Sequence, residues 1–181
     1  MADREPILDE AALRRLRDAV AMFPQKRAGL LHALWIVQEE RGWISPAAME
    51  LVAREVGLSP AQVLEVVTFY TMFHLEEPGR HVIQLCGTLS CELMGSRRIR
   101  DRICERAGVP ESGGTSADGL FTLQNVECLA ACGRAPAMQV DDAFYENLTD
   151  ESVDSILDAC RSGRDLPPPN EKVPGWPSNR S

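Results

Sequence analysis

The hydrophobic period changes at Glu76-Glu77-Pro78-Gly79, and that change divides what the chain can build. Before it, apolar residues recur at helical spacing. Leu13, Leu16 and Val20 lie on one face of a helix over 9–22 that Pro24 stops. Residues 27–41 carry Leu30, Leu31, Leu34, Trp35 and Val37 on a broad apolar face, with Gly42 placed as a C-cap. Ser45-Pro46 opens a third helix, serine as N-cap and proline at the first helical position, and Gly57 closes it. Ser59-Pro60-Ala61-Gln62 is a capping box for a fourth helix through Val63, Val66, Val67 and Tyr70, the helical reading reaching about Phe73. The expectation is a helical bundle over 1–77.

Beyond Gly79 short apolar runs alternate with one helical stretch. His81–Cys86 is strand-like, residues 92–107 are helical up to Gly108, and Leu120–Leu123 reads as a second strand after turn signals at Gly113-Gly114 and Asp118-Gly119. Ala137–Val140 and Ala143–Tyr145, joined by Asp141-Asp142, suit a hairpin. Thr149 then caps a last helix with Val153, Ile156 and Leu157 inward. The order β-α-β-β-β-α describes a small domain over 78–162 with helices against a mixed sheet. A proline-rich tail, 163–181, includes Trp176 and favours extended conformations.

Charge narrows the class of partner. A formal net charge of −8 excludes a sequence-independent nucleic-acid binder, which needs a basic footprint. No run has the length of a membrane span, so no direct membrane insertion is expected, and the acidic start lacks the marks of a secretory signal or transit peptide. The charge is uneven: Asp141, Asp142, Glu146, Asp150, Glu151, Asp154 and Asp158 follow one another with no base between, while Arg97, Arg98, Arg100, Arg102 and Arg106 cluster earlier. Both read as solvated helix faces before they read as docking patches.

Six cysteines occur, four of them in two tight pairs, Cys86-x₄-Cys91 and Cys128-x₃-Cys132, each where a strand pattern runs into a glycine-marked loop. Cys104 and Cys160 are read as small buried hydrophobes on helices. For the paired four, disulfides are disfavoured in a chain with a sizeable apolar core, and thiol-redox catalysis ordinarily wants two residues between the thiols. Structural zinc is the stronger rival, because four thiolates are one of its ordinary ligand sets. Longer loops suit a dinuclear iron–sulfur core, which makes the chain an electron carrier; on spacing, iron–sulfur leads and zinc stays open. No dinucleotide fingerprint or P-loop lysine is present, and His32, His74 and His81 are scattered, so no catalytic residue is assigned.

Cys-x₄-Cys followed by Cys128-Leu-Ala-Ala-Cys132-Gly-Arg-Ala-Pro136 and Tyr145-Glu-Asn-Leu148 resembles the thioredoxin-like [2Fe–2S] ferredoxin subunits of NADH:quinone oxidoreductase, the E-type subunits of respiratory complex I. Trp43-Ile-Ser-Pro46 and Val67-Thr-Phe-Tyr70 are similar as well, and the likeness runs from Pro24 to Cys160. It implies an N-terminal helical bundle followed by a thioredoxin-like ferredoxin domain with a mixed sheet. It implies one [2Fe–2S] cluster held by Cys86, Cys91, Cys128 and Cys132. It further implies docking on an F-type flavoprotein subunit that binds FMN and oxidises NADH, beside other peripheral-arm subunits on the cytoplasmic side of the inner membrane. Such a chain belongs to an NADH dehydrogenase and translocase without an active site of its own. Related subunits serve NAD-linked hydrogenases and formate dehydrogenases. One departure is Ala130, where glycine is common in the family; alanine is small enough to let the backbone approach the sulfur. Acids after Asp141 are expected to lower the cluster's potential, and the amides of Gly87, Thr88 and Gly133 with the Arg134 cation to raise it. Proline at the start of a strand also marks Ala135-Pro136 as a candidate cis bond.

Overall fold

The computed structural model describes residues 7–168. The chain divides into two compact units, Met1–Glu77 and Pro78–Ser181.

In the first unit, α1 (Glu10–Ala21) starts where the Asp9 carboxylate accepts the Ala12 amide at 2.7 Å. A 3₁₀ turn over Lys26–Gly29 leads into α2 (Leu30–Arg41), which Gly42 ends in the left-handed region. Ser45 caps α3 (Pro46–Val56), and Ser59 with Gln62 forms the capping box of α4 (Pro60–Phe69). Leu16, Leu34, Val37, Ile44, Val52 and Val63 are all fully buried in their common core. Helix α4 stops short of the expected Phe73. The chain turns extended at Tyr70, and Gln38 of α2 holds the residues beyond it: its amide donates to Met72 O at 2.7 Å and its carbonyl accepts His74 N–H at 2.8 Å. A tertiary hydrogen bond thus replaces another helical turn. His32 is exposed, its ring 5.2 Å from that of Phe23.

The second unit is a five-stranded sheet in the order β2-β3-β1-β4-β5. Strands β1 (His81–Cys86) and β3 (Phe121–Val126) are parallel neighbours, paired from His81↔Phe121 to Cys86↔Val126. β4 (Met138–Val140) runs antiparallel to β1, and the hairpin through Asp141-Asp142 returns as β5 (Ala143–Tyr145). With a period of two, Ile83 and Leu85, Phe121 and Leu123, and Met138 and Val140 fall on one face. They pack with Ile99 and Ile103 of α6 (Ser96–Ala107) and with Val153, Ile156 and Leu157 of α7 (Asp150–Ser162). Cys160 belongs to this core and Cys104 packs at its edge.

Several elements depart from expectation. The single helix expected over 92–107 is two, a five-residue α5 (Leu89–Leu93) and α6, broken at Gly95 with φ +96°. The bend lets the buried Ser96 hydroxyl donate to Cys86 O at 2.6 Å. β3 extends past Leu123 because all six residues of β1 offer it a parallel ladder, and Gln124 and Asn125 pair despite lacking apolar side chains. Gly114, expected in a turn, begins the two-residue edge strand β2 (Gly114–Thr115). Nor are the two charge runs merely solvated. Arg98 pairs with Asp150 at 2.9 Å, Arg102 with Asp154, and Arg106 with Asp154 at 3.2 Å and Asp158 at 3.0 Å. The four-residue spacing of each run makes a ladder between neighbouring helices. Three of its acids, Asp150, Asp154 and Asp158, are thus turned toward arginine. Pairing with Arg102 holds the Asp154 carboxyl below the usual carboxylate range. His81, unpartnered in the sequence reading, bonds Asp141 through Nδ1 at 2.8 Å across the sheet. Trp176 lies outside the described residues. Among those described, no helix is long and apolar enough to cross a membrane.

Candidate metal centre

Because β1 and β3 are parallel and in register, the segments that follow them leave the same edge of the sheet. One segment carries Cys91 on α5; the other carries Cys128 and then Cys132, at the start of a 3₁₀ turn over Cys132–Arg134. Cys86 itself ends β1. A loop-helix-strand excursion of about forty residues therefore brings the two cysteine pairs together with no separate device (roughly the span of an ordinary parallel crossover).

Burial within the set is unequal. Cys86 and Cys91 are buried over Ala135 and Ala137, with Leu129, Ala131 and Phe144 against them. Cys128 and Cys132 are exposed, their sulfurs 3.4 Å apart. Two sulfurs bound at about 2.3 Å to one tetrahedral metal stand about 3.8 Å apart, so this pair is close to chelating geometry. All six cysteines are free thiols.

Polar contacts tie the two loops to each other. The Thr88 hydroxyl lies 3.2 Å from Cys86 Sγ and also bonds Cys128. The Leu129 amide of the second loop donates to Cys86, and the Ala130 amide donates to Cys128 Sγ at 3.3 Å. Burial works to push the Cys86 thiol up, but the Thr88 hydroxyl, the Thr88 and Leu129 amides and Cys91 outweigh it and bring it down to about 7. Burial and the neighbouring Cys86 push Cys91 up to about 11, with the charge of Cys132 adding to the effect. Cys128 is lowered by the Ala130 amide, Cys132 and Thr88. Each loop therefore feels the other's sulfurs.

The donor set fits a dinuclear iron–sulfur core. Among the described residues, no three or more His, Cys, Asp or Glu side chains converge on a point where one ion could be held. Four cysteines in two pairs suit two irons, each taking two thiolates and completing its four-coordination from bridging sulfide. A Cβ added at Gly87 or Gly133 would meet nothing within 4 Å, so the loops also leave room.

The expected donors are partly different ones. Gly87 N–H is occupied by Val126 O at 3.1 Å, and Arg134 is paired with Glu146 at 2.7 Å, so neither is a free electropositive group at the sulfurs. Leu129 and Ala130 supply the amides instead, and no sequence signal marks them. Ala130 also corrects the argument from size: it sits at φ +61°, where a Cβ is disfavoured, and that conformation aims its N–H at Cys128. Ala130→Gly is expected to raise the unfolding free energy by about 0.5 kcal/mol, the relief of strain exceeding the chain entropy that glycine adds. Denaturant titration of the two proteins checks it. The Ala135–Pro136 bond, on the floor of the site, is cis.

Residues 16–161 match the family model of the thioredoxin-like [2Fe-2S] ferredoxins. The chain belongs to that family. Over 144 residues this ferredoxin is 40% identical to the E 2 subunit of NADH-quinone oxidoreductase of Rhizobium meliloti (strain 1021), covering 80% of this chain and 85% of that one. It is 38% identical over 154 residues to NADH-quinone oxidoreductase subunit 2 of Thermus thermophilus, covering 83% and 84% of the two. Its fold superposes on a chain of an NAD⁺-reducing [NiFe]-hydrogenase in the H₂-reduced state with a TM-score of 0.64 at 19% identity. That match covers 83% of the ferredoxin and 24% of the hydrogenase chain, and it concerns the fold alone.

Proposed function

We propose that this chain is the [2Fe–2S] electron-transfer subunit of the NADH-oxidising module of an NADH:quinone oxidoreductase, with Cys86, Cys91, Cys128 and Cys132 as its ligands. One observation carries the reading: a parallel, in-register β1–β3 pair delivers both cysteine pairs to one edge of the sheet. Membership of the ferredoxin family and identity to two quinone oxidoreductase subunits over most of their length support it. Residues 1–77 act as a helical bundle, 78–162 as the cluster domain and 163–181 as a tail. The partner is an FMN-binding flavoprotein, beside other peripheral-arm subunits on the cytoplasmic side of the inner membrane.

The bound cluster supplies reversible one-electron chemistry. The chain's residues do the rest. Cys86 and Cys91 sit over an apolar floor that keeps water from that side, whereas Cys128 and Cys132 are exposed. Thr88 and the Leu129 and Ala130 amides direct hydrogen bonds at sulfur, which favours the reduced, more negative state. Once the cysteines are thiolates they have no proton to give, so Thr88 becomes the donor. Thr88→Val is expected to lower the midpoint potential and Thr88→Ser to preserve it, read by anaerobic redox titration; one potential for all three proteins removes the hydroxyl from this role.

Metal analysis tests the main reading. Anaerobically purified protein should be reddish-brown with equal iron and acid-labile sulfide, and should co-purify with a flavoprotein that reduces it from NADH. A colourless protein holding zinc after iron and sulfide reconstitution refutes the proposal. An equivalent subunit of an NAD-linked hydrogenase or formate dehydrogenase uses the same site, and the other co-purifying subunits separate these assemblies.

A further inference from the structure

The arginines of α6 are not equivalent. Arg98, Arg102 and Arg106 are consumed by the ladder to α7. Arg97 and Arg100 lie off that face and, with Gly87, Glu92, Ser96 and Asn125, line a cleft of 240 Å³ beside the end of β1. Among the described residues Arg97 forms no ion pair; Asp101 lies 4.0 Å from Arg100 Nε, and Glu92 is the carboxylate in the cleft lining. That nitrogen is buried without a hydrogen-bond partner. The rest of the Arg100 side chain stays partly exposed, and a carboxylate brought into the cleft would satisfy the buried nitrogen. In a chain of net charge −8 two arginines lining one cleft are conspicuous.

Next to the cleft stands an apolar surface of equal peculiarity. Leu89, Leu93 and Met94, on α5 and its C-cap, are 74%, 77% and 61% exposed, and they flank the buried Cys91. Glu92, between them in sequence, lines the cleft, so apolar patch and cationic cleft adjoin on one surface. An apolar centre with a charged rim is how a protein–protein contact is built, aligned by its charges and held by its apolar core. The cleft is also tied to the candidate centre, since Ser96, which lines it, donates to Cys86 O at 2.6 Å.

We infer that Leu89, Leu93 and Met94 with Arg97 and Arg100 form the docking surface for the electron-exchange partner, and that the partner presents an apolar patch bordered by a side-chain carboxylate that enters the Arg97–Arg100 cleft. This rests on the functional reading above and identifies its partner-facing surface. Leu89 and Leu93 lie two residues to either side of Cys91 on α5, so a partner seated there lies next to the candidate centre. Charge decides the orientation: the complementary surface is acidic where this one is basic.

Binding of the cluster-loaded full chain to its flavoprotein partner tests the inference, comparing wild type with Leu93→Asp and Arg97→Glu. Both side chains are exposed, so both variants should keep the wild-type visible spectrum and thermal transition. Leu93→Asp should weaken binding by about tenfold or more, and Arg97→Glu should weaken it by at least about threefold and flatten its dependence on salt. Losses below threefold in either variant overturn the surface. So does self-association of the chain that Leu93→Asp abolishes, because the patch would then serve a second copy. If the wild-type chain fails to bind the flavoprotein at all, it is the functional reading that falls, a result separable from equal binding by all three proteins.

Discussion

Cys128→Ala should leave a folded protein without its visible absorbance or its iron. Cys128 stands exposed on the loop after β3, outside every hydrophobic cluster, so its removal empties no core. Its sulfur lies 3.4 Å from Cys132 and takes the Ala130 amide; without it, the outward pair can no longer close on an iron. Water is a poor substitute for a thiolate at an exposed site. Far-UV dichroism should match wild type while iron and sulfide fall to background. Cys104→Ala, half-buried on α6 with its sulfur 3.6 Å from Pro110 O, should keep both. Undiminished absorbance in the Cys128 variant would take this residue out of the ligand set.

Phe121→Ala should cost the second unit about 3–5 kcal/mol, the range for emptying a large aromatic site in a packed core. Phe121 is fully buried, opens β3 and pairs with His81 at the start of the parallel ladder. The Arg161 guanidinium lies 5.4 Å from the ring centroid, so the truncation also loses a cation–π contact. Gly79 packs so tightly on the Phe121 backbone that a Cβ there would stand 2.8 Å from its carbonyl carbon, leaving little slack for the cavity to collapse. Urea unfolding followed by far-UV dichroism reads the loss. A midpoint close to wild type would mean that the site is not close-packed. Because β3 leads straight into the Cys128–Cys132 loop, release of iron should move to lower urea along with the unfolding.

Local chemistry was legible wherever a residue acts on its own neighbours. Ser45, Ser59 and Thr149 accept amides within the first turn they cap, so those helix starts follow from a few adjacent side chains. His81–Cys86 reads as a strand because its apolar residues fit a pleated, buried surface wherever they are placed. The clustering of cysteines at two strand ends was equally plain, and with it the kind of chemistry they suit. The arginine and aspartate runs were visible with their four-residue spacing, but their partnership was not. A charge is satisfied by water or by a distant helix with no difference in its own neighbourhood, and only the packing of α7 beside α6 brings Asp150, Asp154 and Asp158 to the arginines.

From composition and pattern alone came a helical half, an α/β half and four thiols in two loops. Tertiary structure decided what those thiols face. Parallel pairing of β1 with β3 set the loops side by side, and Gly95 turned α6 so that Ser96 could hold Cys86. The division has one physical cause: capping and periodicity act over a turn of helix or a pleat of strand, whereas hydrogen bonds across a sheet edge exist only after distant segments have been brought within about 3 Å of each other.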